Sequence, residues 1–142
     1  MTLDQLLTQC RKRRLHVSFL PFPIPGAYYL PERLIIIDSR LSEQEQLATL
    51  AHEYVHACFW HDGHQSPEIE AAVNRRAARL LVSPIEYVLA ENVYGGNVFL
   101  IAEELNLPTW VIQAYQETLL AGCYASAAMR AASSASLRAE EC

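Results

Sequence analysis

The sequence has no pair of cysteines at C-x-x-C spacing; its four, Cys10, Cys58, Cys123 and Cys142, stand far apart. That excludes a zinc ribbon and a dense disulfide framework, and leaves reduced thiols as the expectation. Long apolar runs are missing too. Nothing approaches the roughly 18 residues a membrane-spanning helix needs, and Met1 to Cys10 holds no apolar stretch ahead of a small-residue cleavage site. The expected location is the cytoplasm, with no membrane partner. Positive charge is scarce: 11 Lys+Arg stand against 16 Asp+Glu, for a net charge of -5. Such a chain lacks the general attraction to phosphate on which a nucleic-acid reader depends, so no direct nucleic-acid contact is expected. The one basic run, Arg11 to Arg14, reads as a complement to the dipole at a helix end.

What is present is enough apolar material for a core. The 142 residues are 51% hydrophobic and 19% charged, which fits one compact domain. That domain is expected over residues 1–124, followed by an Ala/Ser-rich tail over 125–142 that reads as disordered or as a frayed helix.

Leu3, Leu6, Leu7 and Cys10 repeat at helical spacing, so Thr2 to Arg14 is expected to be a short amphipathic helix, with a strand over Leu15 to Leu20. Three prolines in PFPIPG lack amide donors, so this run is a surface loop ending at Gly26. Ala27 to Leu30 and Arg33 to Asp38 then suggest a hairpin. Ser42 with Glu45 forms a capping box opening a helix to about Trp60, and Ser66 with Pro67 opens another to about Val82. Further helices are expected from Pro84 to about Asn92, from Val98 to Asn106 and from Thr109 to Ala121. The fold class that results is α+β, a short and mostly antiparallel sheet packed against one helix, with a helical C-terminal half.

Four of the five histidines fall between His52 and His64. Without usable cysteines, a metal site must be built from histidine and carboxylate. Residues 52–56 read HEYVH, and on a helix His52 and His56 share one face, so both imidazoles can reach one ion. Glu53 is rotated about 100° from His52, the position of a general base that acts on water without binding the metal. A catalytic site needs a third protein ligand, and Glu70, Glu68, Asp62, His61 and His64 are the candidates. Glu70 lies near the start of the next helix, where an antiparallel helical hairpin would present it. Asn74, one turn further on, is placed to orient a ligand.

HEYVH followed by E-A-A-V-N (Glu70 to Asn74) and A-A-R-L-L-V-S-P (Ala77 to Pro84) resembles the ImmA/IrrE-type metallopeptidases, a branch of the zincins. The resemblance runs over roughly Ala27 to Leu107. It implies a minimal zincin-like domain in which His52, His56 and Glu70 are ligands of one zinc ion and Glu53 is the base. A His/His/Glu set also accepts manganese or another divalent metal. Val55 stands where the family usually has glycine and Arg76 where it often has an aromatic; both are expected to alter packing only. Longer relatives carry an added helix-turn-helix or sensory domain, and neither is expected within these 142 residues. The family also implies a protein substrate, a helix-turn-helix repressor of a phage, mobile element or stress operon.

Zincins hold substrate as an added strand at a sheet edge facing the metal, and Arg33 to Asp38 is the natural edge candidate, with an interior strand as the other reading. The sequence does not identify an oxyanion helper: Tyr87, Tyr94, His61 and His64 are candidates, each with a core or surface role as the other reading. The stretch from Val98 to Leu119 has helix-turn-helix-like spacings at Ala102, Asn106 and Ile112 but three glutamates and no lysine or arginine, so it reads as core and as a dock for the substrate. The alternative to a peptidase is a non-catalytic, antirepressor-like binding protein with a structural metal. Glu53 speaks against that, since a structural site needs no base.

Overall fold

A computed structural model describes residues 1–122. Cys123, Cys142 and the tail expected over 125–142 lie outside the described residues. The elements run α1 (Leu3–Lys12), β1 (His16–Leu20), β2 (Gly26–Tyr29), β3 (Leu34–Asp38), α2 (Glu43–Cys58), α3 (Pro67–Leu81), α4 (Pro84–Tyr94) and α5 (Val98–Leu105). A sixth helix, α6, covers residues 109–122. The class is α+β and mostly helical, as expected.

The three strands lie in the order β1-β3-β2, with β1 parallel and β2 antiparallel to β3. The sheet is therefore mixed, and the antiparallel expectation holds for one of its two pairs. Of the two readings of Arg33 to Asp38, the edge one is corrected and the interior one holds, because β3 is the central strand. Ile35 and Ile37 are fully buried and Ile36 is half-buried, so this apolar run suits a strand bonded on both sides. The edge beside α2 belongs to β2.

Gly26 opens β2 rather than closing the loop before it. A Cβ there would lie 2.6 Å from Thr49 Cγ2 of α2, so only glycine lets strand and helix approach this closely. Asp38, next to the Gly26–Ile37 pair, fixes this same end of the sheet. Its carboxylate accepts from the Arg40 side chain at 2.9 and 3.1 Å and from the Phe22 amide at 3.4 Å, joining the loop after β1 to the turn after β3. The Arg40 guanidinium holds this carboxyl below its ordinary range.

The core joins both halves. Leu6 and Cys10 of α1, Ile35 and Ile37 of β3, Leu50 of α2, Tyr87 of α4, Ile101 of α5 and Val111 and Ile112 of α6 are all fully buried. Of the C-terminal stretch, Ile101, Ala102, Val111, Ile112 and Tyr115 are core as its pattern predicts, while Phe99 and Leu100 are exposed. Among the described residues no helix is long and apolar enough to cross a membrane.

Candidate metal centre

Helix α2 is the scaffold of the site, and its two ends explain its rigidity. At the start, the Ser42 hydroxyl accepts from the Glu45 amide while the Glu45 carboxylate accepts from the Ser42 amide at 3.1 Å, a complete capping box. No glycine or proline interrupts residues 43–58. At the end, Trp60 takes a left-handed conformation with φ 55°, its amide donates to Ala57 at 3.2 Å, and the His61 amide donates to His56 at 3.1 Å. This is a Schellman closure, which usually takes glycine at the left-handed residue. Arg33 supports it here: its guanidinium lies 4.0 Å from the centre of the Trp60 ring and donates to the Ala57 carbonyl at 3.2 Å.

Helix α3 supplies the facing wall. Ser66 caps it and Pro67 fills its first turn, so Glu70 emerges near the helix start as the hairpin argument expects. The three polar atoms that meet are His52 Nε2, His56 Nε2 and Glu70 Oε2. Their separations are 3.1 Å (His52 to His56), 3.2 Å (His56 to Glu70) and 3.3 Å (His52 to Glu70). Tetrahedral bonds of about 2.0–2.1 Å, those of zinc to imidazole and carboxylate, give ligand edges of about 3.3 Å, so this triangle fits one small divalent ion. Among the described residues, His52, His56 and Glu70 are the group of three whose ligand atoms lie within 4.8 Å of one another. Glu68, Asp62, His61 and His64 are not in it.

Both imidazoles are held from behind. His52 Nδ1 donates to Asn74 Oδ1 at 2.8 Å, which leaves Nε2 with its lone pair toward the triangle. His56 Nδ1 lies 2.9 Å from His61 Nδ1, and the same requirement at Nε2 makes His56 the donor and His61 the acceptor. The His61 ring in turn stacks on Phe59 at 5.8 Å, and Arg76 of α3 lies 4.6 Å from the centre of the Phe59 ring. Arg76 therefore does contribute packing, as a cation on the aromatic that carries His61. Trp110 of α6 meets His52 edge-on at 6.2 Å.

A cleft of about 300 Å³ opens over the triangle, with Gly26, Ala27 and Tyr28 of β2 on one side and Glu53, His61 and His64 among its other lining residues. Glu53 is 9% exposed, and burial, reinforced by the Glu70 carboxylate, pushes its pKa up to about 7. Burial and the adjacent His52 lower that of His56, favouring the neutral imidazole that metal binding requires.

The remaining candidates separate clearly. His61 and His64 line the cleft, whereas Tyr87 is buried against Tyr115 with its hydroxyl donating to Glu91 at 3.4 Å, and Tyr94 donates to Glu104 at 3.1 Å. Neither tyrosine lines the cleft. Two features escaped the reading of the sequence. One is the support of His56 by His61, for which the only sequence signal was a histidine just past the helix end. The other is Trp110, a residue 54 positions beyond His56 with no local signal at all.

A comparison with curated proteins gave no match. The profile described as Peptidase_M78, IrrE N-terminal-like domain, matches residues 10–120, which include all six helices in whole or part, the sheet and every residue of the triangle. By that match the chain belongs to the Peptidase_M78 family of IrrE-type metallopeptidase domains.

Proposed function

We propose that the chain is a cytoplasmic metal-dependent endopeptidase that cuts one specific partner protein, a helix-turn-helix repressor of a phage, mobile element or stress operon. In this reading His52, His56 and Glu70 hold one zinc ion per chain, Glu53 is the general base, and Asn74 orients His52. The observation that carries it is the 3.1–3.3 Å triangle beside a buried carboxylate that is not part of it. Family membership supports a protein substrate.

The β2 edge gives the substrate a place. The Asp38 amide donates to the Pro25 carbonyl at 2.9 Å, and Gly26 pairs with Ile37. In antiparallel pairing, inward-bonding and outward-facing residues alternate, so Ala27 and Tyr29 bond to β3 while the amide and carbonyl groups of Gly26 and Tyr28 face the cleft. An extended peptide bonded to those groups lies across the triangle.

A divalent metal supplies Lewis acidity there, polarising the scissile carbonyl and acidifying water toward a pKa of about 7. Glu53, buried beside the triangle, accepts the proton of the attacking water and delivers it to the departing amide nitrogen. Asn74 and His61 keep the two imidazoles in the tautomer whose Nε2 points inward. A purely structural metal would not call for the buried acid, which costs the fold free energy.

The test is a mass-spectrometric search for new protein N-termini in host lysate treated with metal-loaded protein, wild type beside Glu53→Gln. New termini that depend on Glu53 support the peptidase and name its substrate. Identical termini from both, with one metal in each, favour the non-catalytic binding protein.

A further inference from the structure

The exposed face of α4 is unusually apolar for a surface helix. Ile85 is 75% exposed and Val93 73%, with Val88 and Leu89 also exposed, and these fall at i, i+8, i+3 and i+4. That spacing forms one stripe along the helix. At the start of α5, Phe99 is 73% exposed and Leu100 is exposed beside it. Between the two helices lies a groove of about 440 Å³, lined by Leu89, Val93, Tyr94 and Leu105 with Glu86 and Glu104 at its sides. Single exposed hydrophobics are ordinary, but a contiguous stripe with a groove marks a binding surface.

Charge identifies what fits it. From residue 81 to residue 122 the chain has five glutamates and no lysine or arginine. Glu117 pairs with Arg75 at 3.5 Å, while among the described residues no arginine pairs with Glu86, Glu91, Glu103 or Glu104. The segment that carries the stripe therefore supplies side-chain charge of one sign only. A second copy docked symmetrically by the same face would set glutamate against glutamate, and a nucleic acid or an anionic membrane meets the same repulsion. We propose that the α4–α5 face is a docking surface for a helix of a partner protein whose apolar stripe is bordered by lysine and arginine. The apolar stripe enters the groove and the basic borders meet Glu86 and Glu104 at its sides. This surface shares no lining residue with the metal cleft. The inference is independent of the peptidase reading.

The probe is a synthetic helical peptide of about 18 residues with leucines at i, i+3, i+4 and i+7 and lysines on both flanks. Controls carry glutamate flanks, or the same leucines and lysines scrambled. Binding is followed on the full chain by amide NMR shifts. The expected result is binding by the lysine-flanked peptide, with shifts centred on α4 and α5. It should weaken about tenfold or more with Val93→Arg, with Glu86→Gln plus Glu104→Gln, or on raising salt from about 50 to about 500 mM. The substituted side chains are exposed, and unchanged melting curves verify the fold. Equal binding of the glutamate-flanked or scrambled peptide, or shifts centred elsewhere, overturns the proposal. So does a concentration-dependent dimer that Val93→Arg abolishes, which assigns the face to a second copy.

Discussion

His56 Nδ1 and His61 Nδ1 lie 2.9 Å apart, joined across the left-handed turn at Trp60. The imidazole that faces the triangle is held by another imidazole, where Asn74 does the same for His52 at 2.8 Å. Removing either acceptor frees a ligand to rotate or to change tautomer. His61→Phe, which keeps a ring to stack on Phe59, and Asn74→Leu should each weaken zinc binding by about 10- to 100-fold in a chelator competition. His61→Gln, which restores an acceptor, should recover most of the loss. Affinity within twofold of wild type for His61→Phe would show that His61 only fills space.

The buried acid has a signature in the metal-free protein. Its folded pKa of about 7 lies above the ordinary value of 4.5, so the folded state holds a proton that the unfolded state has released between those two values. The sign follows: with more protons bound when folded, this group makes stability fall as pH rises from about 4.5 to about 7. Urea unfolding of the metal-free wild type and of Glu53→Gln should diverge across that window, the Gln variant gaining up to about 3 kcal/mol by pH 8. Parallel curves would mean that the carboxyl is not desolvated.

Gly26 is where the sheet touches the active helix. Gly26→Ala brings a Cβ to 2.6 Å from Thr49 Cγ2 and 3.2 Å from the Ile36 carbonyl oxygen. We expect a loss of about 1–3 kcal/mol in stability, with β2 pushed from α2 and the cleft altered. Thr49→Ser removes the opposing methyl and should restore a good part of the loss in the double variant. A stability change below about 0.5 kcal/mol for Gly26→Ala would show that β2 yields freely.

The helices were readable because their signals are local. Ser42 with Glu45, Ser66 with Pro67 and Ser83 with Pro84 set starts within a few residues, and HEYVH needs only helical periodicity to bring two imidazoles together. Glu70 and Asn74 followed from one short hairpin and from the family resemblance. Sheet order was harder, since the parallel pairing of β1 with β3 spans the whole of β2. The three consecutive isoleucines of β3 did carry a signal, because an edge strand rarely needs apolar residues on both faces. The long-range partners left none: Trp110 reaches His52 from beyond α3, α4 and α5 in the chain, and His61 follows a left-handed tryptophan held by Arg33 from just before β3.

The central claim is that three side chains hold the metal and a fourth, beside them, does not. Counting bound zinc per chain by elemental analysis tests it directly, in wild type, His56→Ala, Glu70→Gln and Glu53→Gln after equilibration with a competing chelator. The account predicts one zinc in wild type and in Glu53→Gln, and loss of zinc from the other two. Zinc retained without His56 and without Glu70, or lost with Glu53→Gln, would contradict it.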